Sequence, residues 1–170
     1  MEFILAAETH LEDLCRITDE AKAQLKGLGL DQWQKGYPSR EVWEKDICDQ
    51  TTWLAMEGEK VLGAFAFQTE PEPSYREVDG QWLTKGAYAS LHRVCVSDAS
   101  KGTGVAGQMF RQGGALAKAQ GLASVRIDTH PGNLPMRRAL EKAGFRLCGT
   151  IILKGGCEDG DARIAFEKLL

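Results

Sequence analysis

The sequence predicts an α/β fold in which one mixed (α+β) sheet is covered by helices, with residues 1–170 forming a single domain. Segments with helical periodicity alternate with short apolar runs in the order β-α-α-β-β-β-α-β-α-β-β. A polar turn at 57–60 joins two of the runs, as in a hairpin. A glycine-rich loop at 102–107 leads from another run into a helix.

The first helix is predicted over 9–29, where Leu and Ala recur at helical spacing. Thr9 stands in the N-cap position, and Glu12 three residues later would complete a capping box. Gly27 or Gly29 marks the end of this helix.

The rest of the first half is predicted to contain a strand at 2–7, a second helix at 39–49 and a hairpin within 51–68. Ser39 is positioned to cap the second helix. Residues 70–86 are polar, contain prolines and follow no period, so we expect a long loop that is functional or mobile.

The second half is predicted to alternate strands and helices and to close with two antiparallel strands. The predicted segments are a strand at 87–97, a helix at 102–119, a strand at 124–130, a helix at 133–144, and strands at 145–153 and 161–169.

The composition is that of a globular protein, with 43% hydrophobic and 26% charged residues and a net charge of −3. This balance argues against nucleic acid and membrane surfaces as partners, because both require a concentrated cationic face. The five cysteines form no C-x-x-C pair, so we expect reduced thiols and no metal site. The N-terminal segment has no basic region before its short apolar run, and we expect a cytoplasmic location.

The glycine loop permits more than one interpretation. Gly102, Gly104 and Gly107 spell the G-x-G-x-x-G pattern of dinucleotide sites, and Asp128 follows about 20 residues later, so a nicotinamide-dependent oxidoreductase is one candidate. Against it, five residues separate the preceding strand from the loop, and too few follow Asp128 to complete such a fold. The more general interpretation is a pyrophosphate bound by backbone N–H groups at a helix N-terminus. A plain tight turn is the structural alternative.

The segments "LHRVCVSDASKGTGVAGQMF" and "VRIDTHPGNLPMRRALEKAGFRLCGTI" resemble the acyl-coenzyme A binding core of the GNAT superfamily of N-acyltransferases. The resemblance implies the GNAT fold and the use of acetyl-CoA as co-substrate. It places the phosphate loop at Lys101 to Gly104, although the loop's usual Arg or Gln is replaced by Ala99. Asn133 and the "LEKAGF" run match the family's second segment.

The resemblance implies that coenzyme-binding residues come from one strand, the glycine loop and the following helices. These are Val94, Cys95, Val96, Lys101, Gly102, Thr103, Gly104, Val105, Ala106, Asn133, Met136 and Arg137. The family's frequent tyrosine, which protonates the departing thiolate, is replaced by Leu140. Water or another group would then supply the proton, or the chain is a non-catalytic acyl-CoA sensor.

Three residues are candidates for acid–base chemistry. Strand alternation places His92 on one sheet face with Val94 and Val96, beside the expected reaction centre, where it could take a proton from the amine through water. Asp128 and His130 end the neighbouring strand, where one could orient the other or bind a cationic acceptor. His92 as a structural histidine and Asp128 as a turn cap are the alternatives.

Four aromatic residues are candidates for the acceptor pocket, namely Trp33, Tyr37, Tyr75 and Trp82, with ordinary packing as the alternative. We therefore expect an N-acetyltransferase that acetylates a primary amine, in a small molecule or a peptide, by direct transfer in a ternary complex. Because many relatives pair their terminal strands, a homodimer is a further expectation.

Overall fold

The computed structural model describes residues 1–170, and its core is one eight-stranded sheet. The strands are β1 (Glu2–Leu5), β2 (Thr52–Glu57), β3 (Lys60–Gln68), β4 (Asp79–Gly80), β5 (Tyr88–Val96), β6 (Ser124–Thr129), β7 (Arg146–Ile152) and β8 (Ala162–Leu169). Their spatial order is β1-β2-β3-β5-β6-β8-β7-β4. All neighbours are antiparallel except β5 and β6. The predicted mixed sheet is confirmed, and the two-residue β4 is an addition to it.

Four helices cover the sheet, namely α1 (Leu11–Gly27), α2 (Arg40–Cys48), α3 (Val105–Ala119) and α4 (Leu134–Lys142). Side chains of α1 and α2, such as Leu14 and Trp43, form one buried cluster with Leu54 of β2. Side chains of α3 and α4, such as Phe110 and Leu140, form a second cluster. The sheet therefore separates two apolar cores.

The start of α1 differs from the prediction. Residues Glu8–His10 form a 3-10 turn, and α1 begins at Leu11, so Thr9 is not its N-cap and the predicted capping box with Glu12 does not form. Instead, the Nδ1 atom of His10 accepts a hydrogen bond from the backbone N–H of Ala7 at 3.0 Å. Such 3-10 turns are frequent at helix ends.

The other helix signals are located as predicted. Ser39 is the N-cap residue of α2, and the side chain of Asn133 caps α4 by accepting from the backbone N–H of Met136 at 3.3 Å. Gly144 follows α4 with φ +87°, a conformation that glycine adopts without strain.

Residues 70–86, predicted as a long loop that is functional or mobile, are anchored by a buried polar network. The guanidinium of Arg126 lies between the rings of Trp82 and Tyr88, with its central carbon 4.0 and 3.9 Å from the two ring centroids. Its Nε donates to Glu167 at 2.9 Å, and Glu167 also accepts from the backbone N–H of Leu83. The segment is therefore held to β6 and β8.

The pairing of β5 with β6 is short. It runs from Tyr88 opposite Ser124 to Ser90 opposite Arg126, and the two strands then separate. From Ser90 to Val96, β5 remains paired with β3 on its other side. The main chain of β5 beyond Ser90 is thus left without a partner on the β6 side.

No helix is long and apolar enough to cross a membrane.

Candidate active site

A cavity of about 840 Å³ lies where β5 and β6 separate. Its walls include the second half of β5, the glycine loop and α3 on one side. The segments before α2 and after β3, together with the β7–β8 connection, form the other side. The sheet opening, the glycine loop and several acidic side chains therefore share one space.

The glycine loop has the conformation of an anion cradle. Gly102 and Gly104 have φ values of +78° and +90°, and Gly104 is the N-cap residue of α3. A Cβ placed on either glycine would meet no atom within 4 Å, so these glycines face open space rather than a packed neighbour. The free N–H groups of the helix start and the positive end of its dipole both favour a phosphate here.

Most of the predicted coenzyme-binding residues line this cavity. They are Val94, Cys95, Val96, Lys101, Gly102, Gly104, Val105, Ala106, Asn133 and Met136.

Two of the predicted residues are directed elsewhere by local hydrogen bonds. The hydroxyl of Thr103 donates to the backbone carbonyl of Ser100 at 2.7 Å, and Arg137 donates to that of Pro131 at 2.9 Å. Neither lines the cavity.

Sequence reasoning missed three polar residues in the same wall, Gln108 and Arg111 of α3 and Lys142 of α4. Gln108 and Arg111 lie one and two turns beyond Gly104 on the same helix face. This helical spacing could have indicated them from the sequence, because a cation such as Arg111 on this face adds positive charge on the side of α3 that faces the cavity. Lys142 carried no comparable signal.

A β-bulge in β5 interrupts the predicted alternation of its side chains. Ala66 lies opposite His92 and Ala64 opposite Cys95, so Arg93 and Val94 together oppose Phe65. Val94 and Val96 therefore pack with the core cluster of α3, whereas Cys95 belongs to the cluster of α1. Leu91 packs in the same cluster as Val94 and Val96, so the prediction that His92 shares a sheet face with Val94 and Val96 is wrong, because the extra residue reverses the alternation.

The bulge places Arg93, with φ +52°, against α2. Its Nε donates to Asp46 at 2.7 Å, and its Nη1 donates to the hydroxyl of Tyr37 at 2.8 Å. Tyr37 lines the cavity, so this network fixes one part of the cavity wall.

His92 lies in the cavity wall, with 16% of its side chain exposed. Its ring stacks on Tyr75, with centroids 6.2 Å apart, and its Nε2 is 3.5 Å from the Glu72 carboxylate without a hydrogen bond. Burial and the charge of Arg93 lower the pKa of His92 to about 4, although Glu72 opposes this. The imidazole is therefore neutral at physiological pH.

Asp128 of β6 also lies in the cavity wall. Its Oδ1 accepts a hydrogen bond from the hydroxyl of Tyr75 at 2.7 Å. Burial raises the pKa of Asp128 to about 6, while the Tyr75 hydrogen bond and the charge of Arg163 lower it. The alternative prediction was that Asp128 caps the following turn. Its carboxylate instead accepts the hydrogen bond from Tyr75.

His130 is not brought together with Asp128. Its Nδ1 accepts from the backbone N–H of Gly132 at 2.9 Å, and its Nε2 is 3.2 Å from Asp31. These local partners turn the ring away, and His130 does not line the cavity.

The four predicted aromatic residues divide into two pairs. Trp33 and Tyr37 line the cavity. Tyr75 and Trp82 lie outside the lining and pack against each other with centroids 5.3 Å apart. Tyr75 is buried and Trp82 is partly buried within the anchored segment, and neither ring forms part of the cavity wall.

Two further acids, Glu72 and Glu158, line the cavity and were missed from the sequence. Glu72 lies just before the 3-10 turn Pro73–Tyr75, and Glu158 lies in the β7–β8 connection. Both stand in polar segments without periodicity, where no pattern relates them to β5 or β6.

The Acetyltransferase (GNAT) family model matches residues 17–145. The chain belongs to the GNAT family. Its mixed sheet, split strands and glycine loop at the start of α3 are thus features of the GNAT fold, and family membership argues against the nicotinamide interpretation of the loop. Family membership supports acyl transfer from acetyl-CoA.

Solved structures agree with this assignment. A GNAT acetyltransferase from Streptococcus agalactiae 2603 is 30% identical, with a TM-score of 0.87 over 99% of this chain and 95% of that one. A GNAT acetyltransferase from Listeria monocytogenes 4b F2365 is 21% identical, with a TM-score of 0.73 over 99% and 94%. The ribosomal-protein-alanine N-acetyltransferase of Brucella melitensis is 17% identical, with a TM-score of 0.71 over the whole of both chains, and shares the fold. A comparison with curated protein sequences found no match.

Proposed function

We propose that this GNAT protein is an N-acetyltransferase that moves the acetyl group of acetyl-CoA directly to a primary amine. The observation that carries the proposal is that one cavity joins the glycine loop at the start of α3, the split parallel strands and the partly buried carboxylate of Asp128, whose pKa is raised. These are the parts needed to bind an acyl-coenzyme and to deprotonate an amine beside it.

The residues present fit the coenzyme, because the open positions at Gly102 and Gly104 leave room for a pyrophosphate against the first N–H groups of α3. Lys101 and Arg111 would add positive charge at the same end of the cavity. The coenzyme supplies the acetyl thioester. The unpaired edge of β5 at Val94 to Val96 offers main-chain N–H groups to polarise its carbonyl.

Asp128 is the best supported general base. A base is most effective when its pKa lies near the working pH, and the pKa of about 6 for Asp128 meets this condition better than the pKa of about 4 for His92. The Asp128 carboxylate would take one proton from the attacking amine as the C–N bond forms. His92 would act as a neutral neighbour that shapes the site.

The residues also favour direct transfer over a covalent acetyl-enzyme. Cys95 lines the cavity, but burial raises the pKa of its thiol to about 12, so it does not supply a thiolate. Leu140 is fully buried in the core and carries no proton to donate. We therefore assign protonation of the departing thiolate to water in the cavity.

A sensor that binds acyl-CoA without turnover is the second candidate, and Leu140 in place of the family's tyrosine is the observation that favours it. The test combines two measurements. Acetyl-CoA should raise the melting temperature of the protein while NADH does not, since a ligand at about 100 times its Kd adds roughly 2.7 kcal/mol of stability. Thiol release with a panel of amines would then support the transferase, and stabilisation without thiol release would support the sensor.

A further inference from the structure

The β7–β8 connection forms a strap over the acceptor side of the cavity. The strap is residues 153–161, and its segment from Leu153 to Glu158 lines the same cavity as His92 and Asp128. It is folded on itself, because the backbone N–H of Leu153 donates to the carbonyl of Asp161, and that of Gly160 donates to the carbonyl of Leu153, both at 2.9 Å.

One side of the strap is pinned to the segment between α1 and α2. The Oε1 of Glu158 accepts from the backbone N–H of Trp33 at 2.7 Å, and Lys35 contacts both carboxylate oxygens of Asp161 at 2.8 Å. Glu158 is 7% exposed and also lies 3.2 Å from the guanidinium of Arg163. Trp33 has a φ of +62°, a conformation that ordinary residues rarely adopt, so the contact with Glu158 holds a constrained turn.

The other side is pinned across the cavity. The backbone N–H of Lys154 donates to the hydroxyl of Ser74 at 3.1 Å, and Ser74 is a cavity-lining residue two positions after Glu72. The strap therefore spans the acceptor side from the segment of Trp33 to the segment of Ser74.

We infer that the acceptor is a small free amine enclosed under the strap, and not the N-terminus of a polypeptide. This inference rests on the proposed function. A polypeptide continues beyond its amino group, and its second and later residues would have to pass through the space that the strap and its anchors occupy. A molecule of the size of an amino-acid amide or a diamine has no such continuation.

The experiment compares acceptors that differ only in length. Thiol release is measured at saturating acetyl-CoA with alaninamide and glycinamide, and with short peptides that begin with Ala or Gly. The kcat/KM of each amide is expected to exceed that of its matched peptide by about tenfold or more, as for a size-limited pocket. Equal or higher kcat/KM for the peptides would overturn the inference.

A strap variant tests the cause of the preference. Lys35→Ala removes the exposed anchor to Asp161, and loss of such a surface pair changes stability little. The ratio of amide to peptide kcat/KM is expected to fall several-fold in Lys35→Ala. Lys45→Ala, which removes a comparable surface pair with Asp49 on α2, should leave the ratio unchanged.

The outcomes separate the two proposals. An unchanged ratio in Lys35→Ala would show that the strap does not set acceptor size, and would overturn the inference while the transferase activity stands. No thiol release with any amide, diamine or peptide, despite stabilisation by acetyl-CoA, would overturn the proposed function itself.

Discussion

Tyr75→Phe provides a direct test of Asp128 as the general base. Tyr75 does not line the cavity and donates its hydroxyl to Asp128 at 2.7 Å, so it acts on the reaction through that carboxylate. The substitution keeps the ring that stacks on His92 and removes the hydroxyl alone. The hydrogen bond stabilises the ionised carboxylate, and its loss raises the pKa of Asp128.

The size of the effect follows from the strength of that bond. A hydrogen bond to a charged group contributes roughly 1.5–3 kcal/mol, and one pH unit corresponds to about 1.36 kcal/mol. Since water in the cavity can replace part of the bond, the midpoint of the kcat/KM profile should rise by about one pH unit. From a starting pKa of about 6, this predicts a loss of about fivefold at pH 6 and twofold at pH 7. The rate well above pH 8 should be unchanged or higher, because the base is then ionised in both proteins and is stronger in the variant.

The assay is thiol release across the pH range at saturating acetyl-CoA. Tyr88→Phe is the matched control, because the hydroxyl of Tyr88 accepts from the backbone N–H of Glu72 at 3.0 Å and makes no bond to Asp128. Its profile should keep the parent midpoint. If Tyr75→Phe also keeps that midpoint while remaining folded, Asp128 is not the group that titrates in the rate, and the reasoning fails.

Three further substitutions test the site. Asp128→Asn should lower kcat by about 10²- to 10⁴-fold. It should also raise the free energy of unfolding at pH 7 by about 1–3 kcal/mol. The folded-state pKa of Asp128 lies above the usual value, so the parent protein loses stability as the pH rises from about 4 to 6, and the neutral Asn avoids this loss. Thermal unfolding of both proteins at pH 4 and pH 7 measures the difference. Gly104→Glu should abolish acetyl-CoA binding by calorimetry, whereas Gly121→Glu, at a glycine with similar φ beyond the other end of α3, should not. Arg111→Gln should weaken acetyl-CoA binding by about tenfold, and Lys118→Gln, on the same helix outside the cavity, should leave it unchanged.

The order of elements was predictable because each carries a local signal. The turn at Gly58 joins β2 and β3, as the polar residues between two apolar runs indicate. Gly104 begins α3 and Gly144 follows α4, as their positions beside helical patterns indicate. Thr9 is not the cap because a 3-10 turn precedes the helix, where the Nδ1 atom of His10 accepts a hydrogen bond from the backbone N–H of Ala7, and residue type alone does not reveal this contact.

The part of the site formed by the glycine loop and its sequence neighbours was predictable. The part formed by tertiary contacts between distant segments was not. Trp82 is taken into a stack with Arg126, and His130 is held by Asp31. Glu72 and Glu158 reach the cavity only because the sheet brings distant segments together. Such contacts have no periodicity, and no local pattern in one sequence encodes them.

The bulge at Arg93 connects the two halves of the site. An extra residue in β5 turns Val94 toward the α3 core and directs Arg93 toward α2, where Asp46 and Tyr37 hold it. Arg93 and Asp46 are both nearly buried, with 8% and 7% of their side chains exposed, so removing one partner would leave an uncompensated charge at a cost of roughly 3–5 kcal/mol. The same irregularity that turns Val94 at the edge of β5 thus also fixes the cavity wall that carries Tyr37. In the proposed reaction, this single inserted residue would couple the position of the coenzyme to that of the acceptor.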